Sequence, residues 1–171
     1  MIRLPTLVDS EELFALVDKN RERLREWLPW LDGTKTVDDT RQFIKGALQG
    51  HANGVRFDNV IVHENQIVGC VGFNSIDSAH RSGAIGYWIG EDASGKGLLT
   101  NAVSELIKLA FDKMKLHRVE IRAGVENVRS GAVATRLGFT LEGTVRDAEW
   151  LYDRWVSHNI YGLLSNEWRK D

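Results

Sequence analysis

The chain has little cysteine and little proline, and it contains no long hydrophobic run. Its single cysteine, Cys70, excludes an internal disulfide and a thiolate metal cluster, and it lies in an apolar run where we expect it to be buried. No run approaches the roughly 18 apolar residues of a membrane-spanning helix. Pro5 and the acidic stretch 9–12 are unlike a signal peptide. We therefore expect a cytoplasmic globular protein that makes no contact with a membrane.

Positive charge is not in excess either. The 171 residues include 22 Lys and Arg against 24 Asp and Glu, which gives a net charge of −2. A general nucleic-acid-binding protein usually carries a basic face, so we expect no direct binding to nucleic acid. The five histidines have no ligand spacing such as H-E-x-x-H, and we predict no metal site. With 43% hydrophobic residues, this length suits one domain spanning residues 1–171.

Hydrophobic periodicity predicts helices first and strands afterwards. Apolar residues at helical spacing indicate three helices, which begin near Asp9, Leu24 and Thr36. The later elements are strands at 55–62, 67–76 and 83–90, a helix from Leu99, a strand at 119–125, a helix at 127–137 and strands around 139–145 and 160–164. This order predicts a mixed α/β sheet, and not a doubly wound fold.

The most informative stretch is the junction at Ser94–Gly97, where a strand-like run ends and a helix begins at once. Gly95 and Gly97 lack side chains, so their backbone N–H groups can converge on phosphate oxygens. The helix adds unpaired N–H groups and the positive end of its dipole, and Lys96 adds a mobile charge. An ordinary strand-to-helix turn has the same pattern, so both interpretations stay open on these residues alone.

Four blocks of sequence extend the argument: NRERLREWLPW, IVGCVGFNSID, IGYWIGEDASGKGLLTNAV, and ENVRS followed by LGFTLEG. Together they resemble the GNAT superfamily of acetyl-CoA-dependent N-acetyltransferases, and within it the Rim-type enzymes that acetylate the N-termini of ribosomal proteins. The resemblance implies the GNAT acyl-CoA N-acyltransferase fold, in which helices flank a central mixed β-sheet. It also implies direct attack of a neutral primary amine on the thioester of acetyl-CoA. The expected acceptor is the N-terminal α-amine of a protein such as a ribosomal one.

The resemblance assigns acetyl-CoA to one strand, one loop and one helix start. Backbone groups near Trp88 and Ile89 would bond the pantetheine arm, and one N–H there would meet the developing oxyanion. The side chain of Trp88 is interpreted as a core aromatic. Asn127 would bond the pantetheine as well. The pyrophosphate would be held by Gly95, Lys96, Gly97, Leu98, Leu99 and Thr100.

Two residues are implied as catalytic, Ser130 and Glu149. Ser130 would also contact the bound acetyl-CoA near its leaving sulfur, where the hydroxyl hydrogen-bonds or protonates the thiolate. Glu149 matches the carboxylate proposed as base in Rim-type enzymes, and Glu142 is a rival that we expect to be structural. Plainer roles fit the same residues: Asn127 as a helix cap with Ser130 in the first turn, and Glu149 as an exposed charge at a strand end.

One departure from the family pattern concerns the glycine loop. Asp92 occupies the first position of the pattern Q/R-x-x-G-x-G/A, and Ser94 stands where Rim-type sequences often have Gln. Because the donors of this loop are backbone amides, the departure puts the affinity for CoA in question more than the identity of the ligand. Asp92 would repel a pyrophosphate unless its carboxylate points to solvent.

The acceptor side is less defined by the sequence. Trp27 and Trp30 are expected to flank an acceptor cleft, although Trp27 also fits a helical core stripe. One alternative acceptor is a small amine, such as a polyamine or an aminoglycoside-like compound. Another alternative is a sensor that binds acyl-CoA without turnover. A homodimer is compatible with the sequence, and no feature of the sequence decides the oligomeric state.

Overall fold

A computed structural model of the chain describes residues 1–168, so the last three residues of the expected domain lie outside the described part. Five α-helices and seven strands follow one another, with short 3-10 turns between some of them. The helices are α1 (Ser10–Lys19), α2 (Arg21–Arg25), α3 (Val37–Ala52), α4 (Leu98–Asp112) and α5 (Val128–Arg136). The strands are β1 (Ile2–Arg3), β2 (Phe57–His63), β3 (Gln66–Asp77), β4 (Ser82–Ile89), β5 (Arg118–Gly124), β6 (Thr140–Leu151) and β7 (Arg154–Leu164).

The strands form one sheet in the order β1-β2-β3-β4-β5-β7-β6. All neighbouring pairs are antiparallel except β4 and β5, which are joined through the crossover helix α4. This one parallel pair makes the sheet mixed, and it confirms the predicted fold class. The strand β6 lies at one edge of the sheet and pairs only with β7 over the described residues.

Helices cover both faces of the sheet, and adjacent strand residues show which helices lie on which face. Val60 packs in a cluster with Leu13 of α1 and Ile44 of α3. The next residue, Ile61, packs in the main core with α4. Because successive side chains of a strand point to opposite faces, α1 and α3 lie on one face and α4 on the other. Cys70, expected to be buried, is partly buried and packs against the cluster of Leu13, Ile44 and Val60.

The structure adds to the predicted elements and lengthens some of them. The short strand β1 carried no pattern that distinguishes it, and β6 and β7 run well beyond the predicted segments. Asp9 stands at the start of α1 without capping it through its side chain, because its carboxylate accepts from Arg3 and from the Thr6 N–H. Among the helices of residues 1–168, none is long and apolar enough to cross a membrane.

Candidate active site

The parallel pair β4–β5 opens halfway along its length. Pairing runs from Ser82–Arg118 to Ile85–Ile121 and then stops, although β4 continues to Ile89. Beyond Ile85, β4 pairs only with β3 among the described strands, so backbone groups on its other side face a gap. This divergence leaves β4 splayed from β5, and it creates a backbone wall along which an extended ligand can lie.

Strand geometry decides which residues face this gap. The Gly90 N–H donates to Val68 on the β3 side at 2.8 Å, whereas the Ile89 carbonyl accepts from the Arg23 guanidinium. Since backbone groups alternate sides along a strand, the N–H groups of Ile89 and Tyr87 face the gap and those of Trp88 face β3. Of the two backbones expected at the pantetheine arm, that of Ile89 faces the gap and that of Trp88 does not. The half-buried indole of Trp88 lines the cleft and also packs on apolar residues of the α1 side.

The glycine loop has the geometry that anion binding requires. Gly95 and Gly97 both have φ of +76°, a left-handed conformation that favours glycine. Gly97 caps α4, and the first helical bond runs from the Asn101 N–H to the Gly97 carbonyl at 3.0 Å. The N–H groups of residues 98–100 consequently have no carbonyl four residues earlier within the helix and point out of its end. Lys96 is exposed and does not line the cleft.

Asp92 does not face the loop it was expected to disturb. Its carboxylate forms an exposed ion pair with Lys19 at 2.7 Å. That hydrogen bond to Lys19 holds the pKa of Asp92 below its ordinary value. The side chain is 80% exposed, so it meets the condition under which an acidic residue is compatible with a bound pyrophosphate.

Two arginines that the sequence did not single out line the cleft. Arg136 at the end of α5 donates to the Thr100 hydroxyl at 2.9 Å, and Arg129 also lines the cleft. Together with the start of α4, Arg136 gives the loop end of the cleft a positive character. Such contacts link α5 to α4 across 36 residues, which explains why no local sequence pattern indicates them.

Asn127 and Ser130 stand at the start of α5. The Asn127 side chain accepts from the Ser130 N–H at 3.1 Å, so the helix-cap interpretation is correct. The Ser130 hydroxyl lies 3.1 Å from the phenol oxygen of Tyr87, and the Ser130 carbonyl oxygen lies 3.0 Å from it, so both oxygens are within reach of the one phenol proton. Burial raises the pKa of Tyr87 to about 12, so this phenol is neutral near pH 7. Tyr87 of β4 thereby holds Ser130, and with it the start of α5, against the strand.

Glu149 lies on the cleft side of β6, where its carboxylate is 3.2 Å from His158 Nε2 on β7. Its neighbour Trp150 is exposed and packs edge-on against Trp155. The rival Glu142 is bound by both terminal nitrogens of Arg118 at 2.6 Å and does not line the cleft. These contacts confirm the structural role expected of Glu142. No local pattern singles out His158, which lies nine residues from Glu149 across a hairpin.

One cleft of about 2200 Å³ joins these groups. The half-buried Trp27 forms part of its wall close to the Gly124 backbone, and Trp30 lies 6.2 Å from Trp88 between ring centres. Both tryptophans line the cleft, and Trp27, whose helical spacing favoured a core position, is only half-buried. The predicted residues that line this cleft are Trp88, Ile89, Gly95, Gly97, Leu98, Leu99, Thr100, Asn127, Ser130 and Glu149.

Known proteins are similar to this chain in sequence and in architecture. A family model described as an acetyltransferase (GNAT) domain matches residues 1–140. The ribosomal-protein-serine acetyltransferase of Escherichia coli K12 is 33% identical over 152 residues, covering 89% of this chain and 85% of its own.

Two solved structures are similar over almost the whole fold. The microcin C7 self-immunity acetyltransferase MccE, solved with acetyl-CoA and AMP, is 34% identical with a TM-score of 0.92, covering 95% of this chain and 91% of its own. RimL, an α-N-acetyltransferase of ribosomal protein L7/L12 solved with coenzyme A, is 29% identical with a TM-score of 0.93, covering 95% and 92%. The chain therefore belongs to the GNAT superfamily, and it is an N-acetyltransferase that resembles the Rim-type enzymes.

Proposed function

We propose that the protein transfers the acetyl group of acetyl-CoA to the N-terminal α-amine of a protein, with a ribosomal protein as the favoured acceptor. One observation carries the proposal: a single cleft is lined by the glycine loop, the splayed strand, Ser130 and Glu149. An anion site, a backbone wall, a hydroxyl and a carboxylate are the groups that acetyl transfer from a phosphorylated thioester to an amine requires.

Acetyl-CoA fits the cleft from its phosphate end. The start of α4 and residues 95–100 supply N–H donors for the pyrophosphate, with Arg136 nearby. The pantetheine arm then runs along the open side of β4 towards Asn127, whose side-chain NH₂ is available while its oxygen caps α5. MccE and RimL, which share this architecture, bind acetyl-CoA or coenzyme A in their solved structures.

The reaction begins with a neutral amine. An α-amine has a pKa of about 8, so removing its proton at pH 7 costs only about 1.4 kcal/mol, and a carboxylate acting through water suffices. Glu149 fills this role, and the amine nitrogen attacks the thioester carbon. The oxyanion meets the Ile89 N–H on the open side of β4. As the carbon–sulfur bond breaks, the Ser130 hydroxyl donates a hydrogen bond to the leaving thiolate. The second proton of the attacking nitrogen passes to the sulfur, so that CoA leaves as the thiol and the product is a neutral amide.

The acceptor assignment is supported by relatives. The Escherichia coli enzyme at 33% identity is named for ribosomal-protein serine, and RimL is named for the α-amine of L7/L12. MccE, at 34% identity, supports a second candidate, because it is an immunity enzyme against microcin C7 and was solved with AMP. The second candidate acceptor is therefore the amine of a small molecule.

A mass-spectrometric assay separates the two. The purified chain is incubated with acetyl-CoA and the amino-terminal peptide of L7/L12, with the same peptide blocked at its N-terminus, and with spermidine and an aminoglycoside. The proposal expects one acetyl group on the free peptide and none on the blocked one. Acetylation of only the small amines establishes the second candidate. If calorimetry shows acetyl-CoA binding but no amine is acetylated, the chain is a sensor and the proposed function is wrong.

A further inference from the structure

Glu149 contacts His158, a residue that has no role in the reaction proposed above. His158 lies on β7, an inner strand that pairs on both sides, with Gly124 of β5 and Val145 of β6. Glu149 lies on the edge strand β6, where it follows a run of exposed residues. Within residues 1–168, Glu149 is the one hydrogen-bond or ion-pair partner of the His158 side chain, at 3.2 Å. A side chain of the inner strand β7, which pairs on both sides, thus holds a carboxylate of the edge strand β6, which pairs on one side.

A bulge in β6 brings the two side chains together. Val145 pairs with His158 and Glu149 with Val156, so four residues of β6 pass while β7 advances by two. The two extra residues keep Glu149 on the same face as His158, because side chains alternate with a period of two. Asp147 in the bulge has φ of +47°, and its N–H donates to the Ser157 hydroxyl at 3.0 Å. The bulge is therefore held in one conformation by β7.

The chemistry of the contact follows from its atoms. Imidazole Nε2 lies 3.2 Å from carboxylate Oε2, a distance at which a proton on Nε2 is attracted to the carboxylate. This contact involves Oε2 and leaves Oε1 for the acceptor amine or for a bridging water. It also restrains the carboxylate, which would otherwise rotate freely on an edge strand.

We propose that His158 is a positioning residue for acetyl transfer, which holds Glu149 in the orientation that deprotonates the acceptor amine. The inference rests on the proposed role of Glu149 as base. It assigns the bulge in β6 a function, namely to bring a base from an edge strand against an anchor on an inner strand. His158 acts through Glu149 and does not itself take the proton.

A set of four variants tests this role with acetyl-CoA and the amino-terminal peptide of L7/L12. His158→Leu is expected to lower kcat by about tenfold to a hundredfold, as small misplacements of a reacting group do, with KM for acetyl-CoA unchanged. His158→Gln retains an N–H donor of similar reach and keeps most of kcat. Combining His158→Leu with Glu149→Gln lowers kcat no further than Glu149→Gln alone, since the two act as one unit.

His63→Leu is the matched control, because His63 also contacts a glutamate, Glu64, but at 3.8 Å and outside the cleft. It is expected to leave kcat unchanged. Full activity of His158→Leu while Glu149→Gln is impaired overturns the inference and leaves the base assignment intact. Multiplying losses in the double variant, or a His158→Gln as impaired as His158→Leu, also overturn it. Full activity of Glu149→Gln rejects the base assignment, and the inference with it.

A measurement without turnover covers the case in which no acceptor is acetylated. Nitrogen-15 NMR of the imidazole is expected to show a proton on His158 Nε2, with a shift that changes in Glu149→Gln but not in the control variant. A neutral ring protonated on Nδ1 in the wild-type chain would contradict the attraction between Nε2 and the carboxylate on which the inference depends.

Discussion

Ser130 depends on a partner that no local pattern indicates. Its hydroxyl lies 3.1 Å from the Tyr87 phenol, and the two residues are separated by 43 positions. A serine hydroxyl is a weak acid on its own, so its use at the sulfur depends on how well it is oriented. Tyr87 provides that orientation through two contacts, one to the hydroxyl and one to the carbonyl of Ser130.

Replacing Tyr87 with Phe tests this contact. The variant keeps the ring in the core and loses only the phenol oxygen, so we expect kcat to fall by roughly threefold to tenfold, equivalent to about one hydrogen bond. The KM for acetyl-CoA should stay constant, because the glycine loop is unaffected. Steady-state kinetics measures both values. A rise in the KM for acetyl-CoA without a change in kcat would mean that Tyr87 serves binding and not the reacting sulfur. Ser130→Ala is the companion variant, and its loss should not multiply with that of Tyr87→Phe.

Single residues were predictable where their role depends on near neighbours. Asn127 caps a helix that begins at the next residue, and Gly95 and Gly97 make a turn in their own loop. Tyr87 and His158 were not predictable, because their roles arise from residues on other strands or helices. The same reason explains Trp27, whose helical spacing suggested the core while the tertiary structure places it at the cleft.

At the scale of elements, the loop before α4 combines a conformational requirement with a binding role. Gly97 has φ of +76°, and the space where a Cβ would stand is open, so strain and not crowding limits substitution. We expect Gly97→Ala to destabilise the fold by about 1–2 kcal/mol, the cost of a left-handed conformation for an L residue. It should also weaken acetyl-CoA binding, since relaxation of the turn moves the N–H donors. Thermal unfolding and calorimetry measure the two effects.

Gly46 is the matched control for that prediction. It lies in the interior of α3, exposed, with open space around its would-be Cβ and no positive φ. Gly46→Ala should therefore stabilise the protein by about 0.5–1 kcal/mol, because alanine loses less backbone entropy in a helix. Acetyl-CoA binding should not change. Destabilisation by Gly46→Ala and tolerance of Gly97→Ala would together show that φ does not determine how alanine changes the stability at these two positions.

Elements were predictable where their period is regular. The helix α4 buries six residues at helical spacing, and the prediction placed its start within one residue. The strand β6 was too short in the prediction because its outer residues are exposed and its register shifts twice, which disrupts the alternation. The order of strands in the sheet was not predicted, since hydrophobic patterns contain no information on which strands are neighbours.

For the whole molecule, one ion pair links the edge of the sheet to the helical layer. Arg3 of β1 donates to both carboxylate oxygens of Asp9 at 2.8 Å, just before α1. The hydrogen bonds from Arg3, with others from Thr6, lower the pKa of Asp9 from 3.8 to about 2. The folded protein therefore binds a proton at Asp9 less readily than the unfolded chain does. The resulting stabilisation is complete above about pH 4 and is lost as the pH falls towards 2.

Asp9→Asn tests this linkage across the molecule. The side chain of Asp9 is 9% exposed but that of Arg3 is 42% exposed, so solvent screening reduces the value of the pair. We expect the variant to lose about 1–2 kcal/mol at pH 7 and to have a flatter stability profile between pH 4 and pH 2. Urea unfolding across this range measures both. Asp92→Asn, which removes an ion pair with Lys19 in which both side chains are mostly exposed, should leave stability almost unchanged at pH 7. Equal losses in the two variants would mean that burial of the carboxylate does not decide the strength of the link between the sheet and α1.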